Sequence, residues 1–189
     1  MTCGIVLAAG RGSRMGGPKA LLEIGGVTLV DRAIRTLFDG GCSAVIAVLG
    51  ASGPPSGRHP RTGFVTNPDW ESGMASSLRA GLARACGDAA VITLVDTPGI
   101  TPAAVERLIA SHRPGFASVA TFGGEVRTPV LFDASLWEEV ASSVSGDAGA
   151  RHWLRRNPSR VIPVACDDVA DPTDLDQPED LTRWERTCN

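Results

Sequence analysis

The sequence predicts a single-domain, doubly wound, mostly parallel α/β sheet with helices on both faces. Short apolar runs recur along the 189 residues, and helical patterns fill the gaps between several of them. The turn-forming motifs follow the apolar runs rather than interrupting them, as expected where strands deliver loops to one edge of a sheet.

The strands are read at GIVLAA (4–9), AVIAVLG (44–50), GFVTN (63–67), AAVITLVD (89–96), ASVATF (117–122), TPVLFD (128–133) and VIPVAC (161–166). Most lack polar alternation, which is the pattern of strands covered on both faces. Helical patterns occupy 28–38, 74–86, 101–112 and 134–144. The segment 51–63 is too rich in Pro and Gly for a regular element and reads as a surface loop. No repeat, low-complexity tract or linker-like shift divides the chain, so 1–189 is read as one domain.

With 43% hydrophobic residues, 21% charged residues and a net charge of −3, the chain is neither disordered nor a basic nucleic-acid binder. An anion site must therefore be built locally, against the overall sign. No apolar stretch approaches the roughly 20 residues that span a bilayer, and the start MTCGIVLAAG lacks a basic segment before a long apolar one. The expectation is a soluble, cytoplasmic protein. Cys3, Cys42, Cys86, Cys166 and Cys188 are scattered, odd in number and form no C-x-x-C pair, so buried free thiols are expected. His59, His112 and His152 form no recognisable triad signature.

After the first strand comes GRGSRMGGPK. It is not a P-loop, because Pro18 precedes Lys19 and Ala20 stands where a magnesium-binding hydroxyl belongs. It is not a dinucleotide turn either, because Met15 takes the place of the third glycine. Its glycines nevertheless allow several N–H groups to face one anion, while Arg14 offers bidentate contacts and Lys19 a point charge. Asp96, at the end of the most continuous apolar strand, is a candidate ligand for Mg2+ or simply the residue that starts a turn. The D-x-P-G pattern around it also occurs in GTPases, but the P-loop and guanine-reading element that would go with it are missing.

In NPDWESGMASSLRAG (67–81) a strand end passes into a helix whose free N–H groups favour anions, with Asn67 and the serines available to a sugar or base. Ser72 is equally suited to capping, and Trp70 to packing. The segment SGDAGARHWLRR (145–156) leads into a basic helix that could hold a second anion or be a capped, solvated helix. In DPTDLDQPEDL (171–181), Asp171, Asp174 or Asp176 could complete a metal site, whereas Glu179 and Asp180 suit a helix start.

Taken in order, LAAG-x-G-x-R-M-G-x-x-K, NPDW-x-x-GM-x-x-SL-x-x-G, a strand ending in Asp-x-Pro, TPVLF, GD-x-GAR and D-x-D-x-PEDL resemble the MobA-like nucleotidyltransferases, closest to the molybdenum cofactor cytidylyltransferase (MocA) branch. The resemblance implies a Rossmann-like nucleotidyltransferase fold, and transfer of CMP from CTP to the terminal phosphate of molybdopterin with Mg2+ and release of pyrophosphate. It implies that Leu7, Ala8, Ala9 and Gly10 line the nucleobase pocket and that Gly12, Arg14 and Lys19 bind the triphosphate. Asn67, Gly73 and Ser77 are implied near base and ribose, and Asp96 at the metal with Asp174 or Asp176. Lys19, Arg14 and Asp96 are thus the catalytic candidates, and Gly146, Asp147 and Arg151 face the acceptor. The LAAG form and the absence of an acidic residue before Lys19 resemble CTP-using more than GTP-using members. Where the family has G-H-P before the VLF strand, this chain has Arg127-Thr128-Pro129. A client molybdoenzyme is the implied protein partner. The alternatives are a GTP-using guanylyltransferase, a related transferase with another phosphorylated acceptor, and a non-catalytic cofactor chaperone.

Overall fold

The structure is a computed structural model that describes residues 1–50, 52–55 and 60–187. The first apolar run forms β1 (Thr2–Ala8). A glycine-rich loop leads from it to a ribbon that the sequence pattern did not reveal, β2 (Glu23–Ile24) and β3 (Val27–Thr28), turned through Gly25 and Gly26. Both glycines have positive φ, 58° and 76°, which ordinary residues rarely adopt. The Thr28 hydroxyl then accepts the Asp31 N–H and caps α1 (Leu29–Asp39).

The chain continues through β4 (Ala44–Leu49), β5 (Thr62–Thr66), α2 (Met74–Leu82) and β6 (Ala89–Leu94). Next come α3 (Pro102–Ala110), opened by a Thr101 cap and Pro102, and β7 (Ala117–Phe122). β8 (Glu125–Asp133), α4 (Trp137–Ser143), α5 (Arg151–Arg156), β9 (Val161–Ala165) and α6 (Pro178–Thr187) complete it. The helix expected over 74–86 ends at Leu82, and that over 134–144 starts as a 3-10 turn. Thr62 and Gly63, at the end of the expected loop, already belong to β5; His59 and the middle of that loop lie outside the described residues.

The strands form one sheet in the order β5-β4-β1-β6-β8-β7-β9. β1 pairs in parallel with β4 and β6, β4 with β5, and β7 with β9, whereas β8 runs antiparallel to both neighbours. The reversal is made by the Gly123–Gly124 turn, with φ of 56° and 81°, which sends the chain straight back between β6 and β7. The expected doubly wound, mostly parallel sheet is observed, with this inverted strand.

Both faces are covered, which is why the strand sequences carry almost no polar alternation. Val6 and Ala8 pack under α1 and α3 with Leu29, Ile34, Leu37, Val105 and Leu108. Cys3, Ile5 and Leu7 face the other way, toward Leu78 and Leu82 of α2, Val140 of α4 and Trp153 of α5. Gly4 is fixed by proximity, since a Cβ there would lie 2.8 Å from the Leu37 side chain. Among the described residues no helix is long and apolar enough to cross a membrane.

At the N-terminal edge of the parallel strands, where Asp133 stands beside Ala89, a polar clasp ties α3 to β8. Asp133, with its side chain 10% exposed, accepts from His112 Nε2 at 2.9 Å, Gly115 N at 3.0 Å, and the hydroxyl and N–H of Ser135 at 2.5 and 3.1 Å. Burial alone would push its pKa up; the hydrogen bonds from Ser135, Gly115 and His112 outweigh it and hold it at about 2. A carboxyl depressed from 3.8 stabilises the fold fully above that value and loses the contribution as pH falls toward 2. Asp133→Asn should cost about 2 kcal/mol at neutral pH, and the difference from the unsubstituted protein should vanish between pH 4 and pH 2 in urea unfolding.

Candidate active site

The loop after β1 is shaped by Gly12. Its φ is 59°, its carbonyl accepts the Met15 N–H at 2.8 Å, and a Cβ there would meet the Gly17 carbonyl oxygen at 2.0 Å. Only glycine fits. The loop closes on Pro18 and a single 3-10 turn, Lys19–Leu21, whose Ala20 is fully buried and anchors it. Lys19 is thereby aimed back across the end of β1.

Its ammonium lies 2.8 Å from Asp96 Oδ2 and 2.7 Å from Asp176 Oδ1, with 14% of the side chain exposed. Burial disfavours the charge, but the bonds to Asp176 and Asp96 outweigh it and push the Lys19 pKa up, so the group stays an ammonium. Asp96 follows β6, and Val95 N donates to Leu7 O at 3.2 Å, which keeps it next to β1. Asp176 arrives from far along the chain. The segment before α6 is stitched to the Asp96 turn by Asp171 N to Gly99 O at 3.0 Å and Leu175 N to Asp96 O at 2.8 Å, and Leu175 is buried. Asp180 then accepts the N–H groups of Asp176 and Gln177, closing the start of α6.

Of the three acidic candidates, Asp176 reaches Lys19. Asp174 lies close by: burial, and then the charges of Asp96 and Asp176, push its pKa up. Asp171 turns inward on its own loop, accepting from the N–H and hydroxyl of Thr173. Among the described residues no group of three His, Cys, Asp or Glu side chains converges as a ready-made metal cage. A divalent ion that takes one or two carboxylates and leaves its other positions to water and phosphates would meet Asp96 and Asp176 here, each with one oxygen already on the Lys19 ammonium.

Lys19 and Asp96 border a cavity of about 490 Å3, whereas Asp174 and Asp176 are not among its lining residues. Leu7, Ala9, Gly10 and Gly12 form its β1 side, Lys19 and Asp96 one end, and Gly73, Ser77 and Asp147 the opposite wall. The α2 wall is held by close backbone approach: Gly73 has a φ of 112°, and a Cβ there would lie 2.5 Å from the Gly146 carbonyl carbon. Asp147 accepts the Met74 N–H at 3.3 Å, so a carboxylate already occupies the start of α2. A smaller cavity of about 220 Å3 shares Ala9, Gly10, Arg11 and Trp70 with the first.

Several implied residues stand elsewhere. Ala8 points to the opposite face of the sheet, into the core beneath α1. Asn67 is 4% exposed; its amide donates to Ser76 Oγ at 2.8 Å and Ser77 Oγ at 3.1 Å, and its carbonyl accepts Asp69 N. It therefore positions Ser77, which lines the cavity, and does not line the cavity itself. Arg14 and Arg151 are exposed and off the cavity wall, as is Gly146.

The arginine on the wall, beside Lys19, is instead Arg11, which ion-pairs with Glu71 and lies over the Trp70 ring at 5.3 Å. Arg11, Glu71, Trp70, Met74, Ser13 and Val95 line the cavity without having been singled out as contacts. For Trp70 the signal was its place after a strand end. Glycine at 50 seats it, since a Cβ there would press on the indole at 3.0 Å.

A sequence model described as MobA-like NTP transferase domain matches residues 4–161. The chain belongs to that family. Over 95% of the chain and 94% of the relative it is 42% identical to nicotine blue oxidoreductase of Paenarthrobacter nicotinovorans. It is 35% identical to molybdenum cofactor guanylyltransferase of Rhodobacter capsulatus, over 96% of the chain and 94% of the relative. Among solved structures, the manganese complex of Rv0371c from Mycobacterium tuberculosis superposes with a TM-score of 0.82 at 26% identity, covering 98% of both chains. The relatives of this chain thus bear both transferase and oxidoreductase names.

Removing the Asn67 amide takes a partner from the buried Ser77 hydroxyl, one of three bonds from the Ser76 hydroxyl, and the acceptor of the Asp69 N–H. Asn67→Ala should lower Tm by about 4–8 °C in a thermal melt, corresponding to roughly 2 kcal/mol, and raise KM for nucleotide through misplacement of Ser77.

Proposed function

We propose that the protein is a nucleotidyltransferase that moves a nucleoside monophosphate, CMP in the first instance, from the triphosphate to the terminal phosphate of a molybdopterin-type acceptor. Pyrophosphate is the other product. The observation that carries this reading is the Lys19 ammonium fixed between Asp96 and Asp176 at the end of the glycine-turned loop. Support for the acceptor comes from the 35% identity to a molybdenum cofactor guanylyltransferase, and for CTP from LAAG and the residues before Lys19. GTP remains the alternative nucleotide.

In this mechanism the loop N–H groups and the Lys19 ammonium hold the triphosphate, with Arg11 as the second cation on the wall in place of Arg14. The acceptor phosphate enters from the side of Gly73 and Asp147, and one of its oxygens attacks the α-phosphorus in line with the departing pyrophosphate. Asp96, with Asp176 beside it, would hold Mg2+, which supplies charge neutralisation on the phosphates when bound; the manganese complex of Rv0371c supports a divalent ion. Lys19 stabilises charge that grows on the leaving group, and positioning contributes most of the rest.

The second reading is an oxidoreductase, favoured by the 42% identity to nicotine blue oxidoreductase. The products separate the two: a transferase yields pyrophosphate and a nucleotidylated acceptor, whereas an oxidoreductase yields a reduced acceptor with no pyrophosphate.

The test is a matrix of CTP and GTP against molybdopterin and other phosphorylated acceptors, read by pyrophosphate release. Release with CTP and molybdopterin is expected. Lys19→Ala and Asp96→Ala should each lower it by about 10² or more, and undiminished release in either variant contradicts the mechanism.

A further inference from the structure

The thiols expected to be buried are so at Cys3, Cys42 and Cys166, whereas Cys86 is exposed, and none of the four lines the cavity. What the fold leaves unbalanced is charge at the site itself. A loop suited to a polyanion places its ammonium against two carboxylates, 2.8 Å from Asp96 Oδ2 and 2.7 Å from Asp176 Oδ1. The two carboxylates outweigh the one ammonium, so a triphosphate arriving alone meets negative charge where it needs positive.

The two carboxylates are not equivalent. Asp96 follows β6, lines the cavity and is 22% exposed. Asp176 is not part of the cavity wall, and its side chain is 57% exposed. Asp176 does not close the start of α6, because Asp180 accepts the Asp176 and Gln177 N–H groups there. Among the described residues, the Lys19 ammonium is the one hydrogen-bond partner of the Asp176 carboxylate. The backbone keeps that carboxylate in reach: Leu175 is buried and donates its N–H to Asp96 O at 2.8 Å, and the Asp176 N–H is tied to Asp180 at 3.0 Å. A fixed segment thus presents an exposed carboxylate whose partner is the lysine that the phosphates require.

We propose that Asp176 is a latch on Lys19 that makes nucleotide binding depend on a divalent cation. In the ligand-free protein Asp176 and Asp96 hold the ammonium away from phosphate. When their charge is taken up by a cation, Lys19 is released toward the phosphates. A triphosphate alone must draw the ammonium off both carboxylates, and a cation alone must compete with the ammonium for them, so each binds weakly without the other. The coupling is reciprocal: the factor by which the cation tightens the triphosphate is the factor by which the triphosphate tightens the cation. The latch rests on Lys19 as the triphosphate seat and requires nothing of the acceptor or of the transfer step.

The test is titration calorimetry of the full chain with CTP and, separately, with inorganic tripolyphosphate, each in EDTA and in Mg2+. In EDTA, Asp176→Asn should bind both about tenfold more tightly than the unsubstituted protein, since one charge-assisted bond no longer has to be broken, and the gain from Mg2+ should shrink by at least that factor. Asp176→Glu, which keeps the charge, should return the weak metal-free binding. Lys19→Ala added to Asp176→Asn should cancel the tightening. The Tm of Asp176→Asn should stay within about 2 °C, because the side chain is exposed and the N–H bond to Asp180 remains. A carboxylate that served the metal alone would leave metal-free binding unchanged in Asp176→Asn and weaken only binding in Mg2+. That result, with Lys19→Ala still weakening CTP, would overturn the latch and leave the seat standing. Binding of CTP untouched by Lys19→Ala would overturn both.

Discussion

The site depends on one ammonium. Lys19 lies between carboxylates that come 77 and 157 residues later in the chain, and it meets both within 2.8 Å. A cation this enclosed is expensive to bury unless its donors are satisfied, and Asp96 and Asp176 satisfy two of the three. The same contacts draw the glycine loop, the end of β6 and the segment before α6 to one point. Charge balance there favours further cations over anions until a phosphate arrives with a metal of its own, because carboxylates outnumber the ammonium.

The fold supplies the rigidity this needs. β1 and β6 are neighbouring parallel strands buried on both faces, so Lys19 and Asp96 are carried by the stiffest part of the sheet while the loops that hold them remain at its edge. The opposite wall is made differently. There, glycine at 73 lets two backbones come together, Asp147 occupies the start of α2, and Asn67 fixes the serines behind it. Arg11 bridges toward that wall through Trp70 and Glu71. One side of the cavity is therefore charged and anchored in the sheet, and the other is held by close packing.

The strands were legible because burial on both faces writes itself as continuous apolar runs, and each such run became a strand within a few residues. The reversal of β8 was harder to read. A parallel and an antiparallel buried strand have the same composition, and only the paired glycines at 123 and 124 signal the tight return. In the site, Lys19 and Asp96 were candidates from their positions after strands and Gly73 and Ser77 from the family resemblance, and sheet topology brings all four to one cavity. Asn67 could not be assigned from type alone. An amide that binds a ligand and an amide that holds two neighbouring serines look alike in sequence, and burial decides between them. Arg11 and Arg14 pose the same difficulty within one loop, where Arg11 lines the cavity and Arg14 does not. Asp176 was one of several carboxylates until the backbone bonds of Asp171 and Leu175 set the register of that segment.

The central claim is that the Lys19 ammonium and its carboxylates form the seat of a nucleoside triphosphate. The measurement that tests it most directly is a crystal structure with a non-hydrolysable CTP analogue and Mg2+. The account predicts phosphate oxygens on Lys19 and the Gly10 to Gly12 loop, with the metal on Asp96. A nucleotide bound elsewhere, with Lys19 still closed on both Asp96 and Asp176, would contradict it.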